Sequence, residues 1–129
     1  MIIINADDND LGICHFDKPI RFSIYTDSEY QAKATEYQPF KTIFKVHSVS
    51  FKLSLPGKYN LYNALSCIAL LSEMGTALKD IAEVLPDFSG LDRRFDIYLN
   101  NGKNLVIDDY AHNPYKISCF DGIHKKNPG

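Results

Sequence analysis

Two asparagines with side chains suited to reading a nucleotide base stand where the sequence pattern changes from strand to helix. Asn60 and Asn63 lie in the segment Leu55–Ala64, just after a Pro-Gly step. Residues three apart on a helix are neighbours on its surface, so both carboxamides can point the same way. A carboxamide presents a donor beside an acceptor, which matches the N6 and N7 edge of adenine, and a helix start favours nearby anions. Alternatively, Asn60 only caps the helix and Asn63 is only solvated.

A pair of arginines, Arg93 and Arg94, stands immediately before Phe95. A guanidinium binds phosphate oxygens through two parallel hydrogen bonds, and a strand entrance holds it more rigidly than a mobile loop does. The same arginines could instead pair with Asp92 and Asp96 or face solvent. The spacing by itself leaves both interpretations open.

Acids and a histidine follow an apolar run in the segment Asp108–Pro114. Polar groups at the carboxyl end of a strand occupy the position where open α/β sheets bind ligands. Asp109 could accept a hydrogen bond from a ribose hydroxyl or help to hold a metal shell, and His112 could donate to phosphate. A plain turn built from Asp, Asn and Pro is the alternative. Asp7 and Asp8 repeat this arrangement less specifically, since surface turns often have such acids.

These groups must be positioned by strands and helices that the apolar pattern locates. A short β-branched run at Ile2–Ile4 predicts a buried strand that ends in an acidic turn, and alternation over Ile20–Ile24 predicts a half-buried strand. The clearest alternation covers Val49–Leu55 and follows an apolar group at Ile43–Val46. Together these strands predict an antiparallel meander.

From Asn60 onward the apolar period becomes helical. The predicted apolar face of the first helix, with Cys67 as a small core residue, comprises Ala64, Cys67, Ile68, Leu71 and Met74. Gly75 is expected to end this helix. A second short helix begins near Leu78 and is expected to stop at Pro86.

Beyond a connector at 88–90, the strands on either side of Asn100–Lys103 predict a β-hairpin, because an Asn-Gly step favours left-handed backbone conformations. The predicted fold class is α/β, or α+β within this chain: a strand, a small antiparallel sheet and two helices, then the hairpin. Residues 1–88 and 89–129 are the predicted domains.

Composition excludes several function classes. The chain of 129 residues is 45% hydrophobic with a formal net charge of -2, and its cationic residues show no run along the sequence. We therefore expect no nucleic-acid partner. No apolar run approaches membrane length, so no membrane partner is expected. The three cysteines fit neither a disulfide framework nor a metal site, which favours a reducing cytoplasm and predicts no metal ligands.

Taken in order, four segments resemble the Mur ligase family. The family pattern is Asn-x-Asp-Asp, then Pro-Gly-x-x-Asn-x-x-Asn-Ala, then Gly-x-x-Arg-Arg-Phe, then Asp-Asp-Tyr-x-His-x-Pro. This chain has Asn5–Asp8, Pro56–Ala64, Gly90–Phe95 and Asp108–Pro114 in the same order. The resemblance covers about residues 1 to 114 and implies an ATP-dependent ligase that adds amino acids to peptidoglycan precursors.

The resemblance also implies roles for individual residues. Asn60 and Asn63 would hold the adenine side of ATP, Arg94 would contact the phosphates, and Asp109 would contact the ribose or the phosphate-magnesium region. His112 is a further candidate, and no residue is assigned to the chemical step. ATP and Mg²⁺ are the implied cofactors. Residues 1–88 would end the central ATP-binding domain, and 89–129 would begin the Rossmann-like C-terminal domain.

Within the family, the motifs look most like ligases that act on UDP-N-acetylmuramate and add L-alanine or, in recycling, a whole peptide. Diaminopimelate-adding or lysine-adding ligases and cyanophycin synthetase stay open as alternatives. The sequence lacks the Gly-x-x-Gly-Lys-Thr/Ser phosphate loop. We therefore expect a fragment that does not catalyse ligation by itself. A non-catalytic or vestigial interaction module is the alternative from another class.

Overall fold

The computed structural model describes residues 1–13, 16–91 and 96–109. The chain forms two compact units, Met1–Phe88 and Ser89–Gly129, and each is described by itself. The domain assignment made from the resemblance stays a prediction. Within the described residues, no helix has the length and apolar character needed to cross a membrane.

The first unit opens with a parallel sheet, so the expectation of an antiparallel meander was wrong for the strands at Ile2–Ile4 and Ile20–Ile24. Its strands are β1 (Ile3–Asn5), β2 (Ile20–Ser23) and β3 (Tyr30–Gln31), in that spatial order, and a 3-10 turn at Asp10–Ile13 lies between the first two. Both pairings are parallel. The expected strands at β1 and β2 are confirmed. Alternation of residue types reports burial and not the neighbouring strand, so it does not reveal parallel pairing.

An antiparallel sheet follows, as expected. It consists of β4 (Lys33–Gln38), β5 (Lys41–Val46) and β6 (Val49–Leu53) in sequence order. The strand β4 was not predicted, because most of its side chains are polar or exposed. The inner face of this sheet is apolar, and Phe44 stacks on its cross-strand partner Phe51 with ring centroids 5.4 Å apart.

Two helices cover these sheets. Helix α1 (Lys58–Glu73) packs against β1, β2 and β3, while α2 (Leu78–Val84) packs against β6. The end of α1 at Gly75 is confirmed: Gly75 has φ 99°, and the Thr76 N–H donates to the Leu71 carbonyl. The stop at Pro86 is confirmed too, since Pro86 lies in the 3-10 turn Leu85–Asp87 that follows α2.

The predicted apolar face of α1 was partly wrong. The residues of α1 that are buried are Leu61, Ala64, Leu65, Ile68 and Ala69. Cys67 is exposed and is not a core residue, and Leu71 and Met74 are exposed as well. Apolar residues surround much of this helix, so periodicity cannot choose which of them face the sheet. Packing against the sheet makes the choice.

The described part of the second unit is a hairpin, and its prediction is confirmed. Strands β7 (Asp96–Asn100) and β8 (Leu105–Asp108) are antiparallel. In the connecting loop, Gly102 has φ 79° and the Asn101 side-chain oxygen accepts the N–H of Asn104 at 2.7 Å. The Asn-Gly step therefore shapes the loop through both a left-handed glycine and an asparagine side chain.

Candidate functional site

Helix α1 begins at a glycine and not at an asparagine. Gly57 is the N-cap, with φ 92° and ψ 151°, and no side chain caps the helix there. The expectation that Asn60 caps α1 was wrong. Asn60 is the third helical residue, and its Nδ2 donates 2.8 Å to the Pro56 carbonyl. This bond joins the Pro-Gly loop to the helix. The backbone conformation at Gly57 is one that favours glycine, and a glycine has no side chain with which to cap the helix.

Asn63 lies one turn further on and is exposed. Its side chain makes no hydrogen bond within the part of the chain that the structure describes, while its backbone carbonyl accepts from the Ser66 hydroxyl at 2.8 Å. The carboxamide of Asn63 thus keeps its donor and acceptor for solvent or a ligand. Asn60, by contrast, has one N–H already committed to Pro56.

The carboxylate of Asp7 joins three elements beside the start of α1. Its oxygens accept the N–H of Ile24 at 2.6 Å and that of Thr26 at 2.8 Å, and the Tyr25 N–H lies 3.2 Å away. The Tyr62 hydroxyl of α1 donates to the same carboxylate at 2.9 Å. We call this set of contacts the Asp7 junction. It connects the end of β1 to the end of β2 and to α1.

The Asp7 junction stabilises the ionised carboxylate. Partial burial by itself would raise the pKa of Asp7, but hydrogen bonds from Ile24, Thr26 and Tyr62 together lower it from 3.8 to about 2. Sequence analysis offered Asp7 as a possible ligand contact or as a plain surface turn. The geometry shows a carboxylate engaged by the protein itself. Asp8 is exposed, and one of its oxygens accepts the Asp10 N–H at 3.0 Å.

A lysine and two tyrosines complete this edge of the first unit. The Lys58 ammonium lies 4.7 Å from the centroid of the Tyr25 ring and 5.8 Å from that of Tyr62. Both rings attract the cation through their π faces. Burial, with a smaller contribution from the Tyr25 phenol, raises the pKa of Tyr37 to about 12, so Tyr37 is neutral at ordinary pH. The first turn of α1 therefore carries a positive charge held by aromatic rings.

Sequence reasoning missed Lys58, Tyr25 and Tyr62. One signal was available, because Lys58 and Tyr62 are four residues apart at a helix start and hence share a face. The contribution of Tyr25 had no such signal. It depends on β2 ending beside α1, which only the tertiary structure shows.

The remaining predicted site residues belong to the second unit. Asp109 follows β8, is half-buried and has an interaction partner. Arg94 and His112 lie outside the described residues. Of the predicted site residues, Asn60 and Asn63 lie together, one turn apart on α1. The roles expected of Arg94, Asp109 and His112 stay predictions.

Comparison with known proteins shows the family to which this chain is similar. Residues 1–71 match the family model described as the Mur ligase middle domain. The UDP-N-acetylmuramate--L-alanine ligase of Persephonella marina is 38% identical over 92% of this chain and 26% of its own length. The enzyme of the same name from Francisella tularensis subsp. novicida is 41% identical over 64% of this chain and 19% of its own length.

A solved structure of a Mur ligase is also similar to this chain. UDP-N-acetylmuramate-alanine ligase MurC from Thermotoga maritima superposes with a TM-score of 0.71 at 29% identity, covering 83% of this chain and 26% of that one. The mixed α/β fold of this chain, with its small sheets and two helices, is therefore similar to Mur ligase folds. This chain belongs to the Mur ligase family. It spans about a fifth to a quarter of the length of the curated relatives cited above.

Proposed function

We propose that this chain supplies part of the ATP site of a ligase that joins L-alanine, or a peptide, to UDP-N-acetylmuramate. The observation that carries the proposal is the exposed carboxamide of Asn63, one turn beyond Asn60 at the start of α1, inside the segment that matches the family model. The relatives named for UDP-N-acetylmuramate and L-alanine support the substrate assignment.

In the proposed reaction, ATP converts a carboxylate into an acyl phosphate, which the incoming amine attacks through a tetrahedral intermediate. Asn63 would hold the adenine edge through its donor and acceptor, with Asn60 beside it fixing the loop. Arg94 would contact phosphate oxygens, Asp109 the ribose or the phosphate region, and His112 would assist there. Each of these groups binds and orients the nucleotide, and none is assigned to bond making.

Magnesium has no complete site among the described residues, since no group of three or more acids, histidines or cysteines could hold an ion there. None of the described residues is therefore assigned to magnesium. The sequence also lacks the phosphate loop, whose lysine and backbone amides position the γ-phosphate. We propose that the chain by itself binds nucleotide weakly and releases no phosphate in the presence of both substrates.

The test is an ATP titration of the chain with Mg²⁺ present and GTP as the control for adenine reading. Asn63→Ala is expected to weaken ATP binding while leaving the melting temperature nearly unchanged, because the side chain is exposed and Ala is a better helix former. Asn60→Ala is the matched variant and should lower the stability by about 1 kcal/mol, since it loses the bond to Pro56.

Two outcomes would contradict the proposal. If the parent chain shows no affinity for ATP, the chain is better described as a non-catalytic interaction module. If the parent prefers ATP over GTP and Asn63→Ala binds ATP as tightly as the parent, the adenine assignment of Asn63 is wrong. Phosphate release that survives repurification would contradict the expected inactivity.

A further inference from the structure

Each end of α1 is tied to the rest of the first unit by a tyrosine hydroxyl that donates to a carboxylate. Near the N-terminal end, Tyr62 of the helix donates to Asp7 at 2.9 Å. At the C-terminal end, Tyr30 of β3 donates to Glu73 of the helix at 2.8 Å. The two bonds use the same chemical groups and nearly the same distance. They differ in what surrounds them and in which end of the helix they hold.

The N-terminal bond reaches a carboxylate that cannot move freely. Asp7 also accepts backbone N–H groups from Ile24 and Thr26, at 2.6 and 2.8 Å, so its position is set by the end of β2. The Asn5 side chain accepts the Asp7 N–H at 3.1 Å and fixes the backbone below it. Tyr62 is therefore bonded to a rigid point on the carboxyl edge of the parallel sheet.

A hydrogen bond to a fixed carboxylate restrains rotation of the start of α1. Asn63 follows Tyr62 directly, and the side chains of a helix move together when the helix rotates about its axis. A helix with side chains is about 10–12 Å across, so a rotation of roughly 10° moves a side-chain tip by about 1 Å. A displacement of about 1 Å is enough to weaken the binding of an oriented ligand severely.

We propose that Asp7 and Tyr62 are positioning residues for the nucleotide-facing side of α1, acting through the orientation of Asn63 and not by touching the ligand. The proposal rests on the proposed function, because it needs Asn63 to contact the base. In this proposal the Asn-x-Asp-Asp segment orients α1 through the hydrogen bond between Asp7 and Tyr62. The carboxylate of Asp7 is engaged within the protein by β2 and Tyr62.

The two ends of α1 provide a matched pair of variants. Tyr62→Phe and Tyr30→Phe each remove one hydroxyl that donates to a carboxylate, and each is expected to lower the melting temperature. Only Tyr62→Phe is expected to weaken ATP binding, by about tenfold, because only that bond lies beside Asn63. Asp7→Asn should weaken ATP binding similarly, and Asp8→Asn, at the exposed neighbour, should not.

A double variant distinguishes positioning from direct contact with the ligand. If Tyr62 acts through Asp7, the two losses should not add. The double variant Asp7→Asn with Tyr62→Phe should then have the same ATP affinity as whichever single variant has the lower affinity. Additive losses would overturn the proposal and indicate that the Tyr62 hydroxyl meets the ligand itself. Equal losses in Tyr62→Phe and Tyr30→Phe would also overturn it, since they would reflect general destabilisation.

Amide hydrogen exchange separates failure of this proposal from failure of the proposed function. Tyr62→Phe should speed exchange in the first two turns of α1, and Tyr30→Phe only in the last turns. If the parent chain does not bind ATP, the proposed function fails and the exchange pattern alone decides whether the Asp7 junction orients the start of α1. Identical exchange in the two variants overturns the positioning role. An unchanged ATP affinity in Tyr62→Phe, with a parent that binds, overturns it while the proposed function stands.

Discussion

The two sheets of the first unit place their polar groups differently. In the antiparallel sheet the inward side chains are mostly large and apolar, and Phe44, Val46, Phe51 and Leu53 are at most 2% exposed. In the parallel sheet the strand ends carry polar groups bonded to one another. Ser23 is fully buried, donates to the Thr26 carbonyl and shares a hydrogen bond of 2.7 Å with Ser28.

The two sheets therefore have different main contributions: the antiparallel sheet to stability and the parallel sheet to the geometry of the candidate site. Large apolar side chains supply most of the favourable free energy of folding through burial. Bonded polar groups add less net stability than large buried side chains, but they hold atoms in one arrangement, since leaving any of them unpaired is unfavourable. We therefore expect core substitutions in the antiparallel sheet to lower stability the most, and substitutions in the Asp7 junction to lower it less but to change the geometry of the candidate site.

The largest effect is expected from Phe44→Ala in the antiparallel sheet. Phe44 is fully buried and stacks on Phe51, so its truncation should lower the free energy of unfolding by about 3–5 kcal/mol. Phe40, which is 40% exposed in the turn between β4 and β5, supplies the matched variant Phe40→Ala. Urea unfolding of both variants measures the difference. If Phe44→Ala and Phe40→Ala lower the free energy of unfolding equally, burial of Phe44 in the antiparallel sheet is not a main source of stability.

An intermediate loss of stability is expected when the pH is lowered, because Asp7 at the edge of the parallel sheet becomes protonated. The pKa of Asp7 is about 2 in the folded chain against an ordinary value of 3.8. A depressed folded-state pKa contributes stability that is present above the unfolded value and is lost as pH falls toward the folded value. The contribution of Asp7 should thus disappear between about pH 4 and pH 2.

The control is Asp7→Asn, which removes the titrating group but keeps the shape of the side chain. At pH 7 this variant should be less stable than the parent by about 2 kcal/mol, because hydrogen bonds to a charged group are lost. The gap should narrow as pH approaches 2. A gap in melting temperature that stays constant from pH 6 to pH 2.5 would mean that ionised Asp7 does not stabilise the parallel sheet.

The smallest effect is expected at the loop that leads from the antiparallel sheet into α1. Gly57 has φ 92°, and a Cβ placed there meets no atom within 4 Å. Because φ 92° with ψ 151° is a conformation adopted essentially only by glycine, Gly57→Ala should lower the stability by about 1–2 kcal/mol through backbone strain, without any clash. Gly75→Ala, with φ 99° and equally open space at the other end of α1, should lower it by a similar amount. A thermal melt that shows no loss for Gly57→Ala would mean that the loop adopts another conformation.

Much of the fold was predictable because its causes are local. Gly75 ends α1 and Pro86 ends α2 for reasons contained within a few residues, and the Asn101-Gly102 step forms the hairpin loop. Alternation likewise located β6, and the apolar group at Ile43–Val46 located β5. The placement of Asn60 and Asn63 at the start of a helix also followed from the change of period at the Pro-Gly step.

Other features required the tertiary structure, because they join residues that are far apart in sequence. Asp7 receives hydrogen bonds from residues 17 to 55 positions away, and no local pattern indicates such partners. The parallel pairing of β1 with β2 and the side of α1 that is buried are decided by packing among several apolar alternatives. The sequence by itself determined where several helices and strands end, and it predicted residues for a nucleotide site. Only the tertiary structure decided that Asp7 holds the helix, since a carboxylate binds whichever donors the fold brings within hydrogen-bond distance.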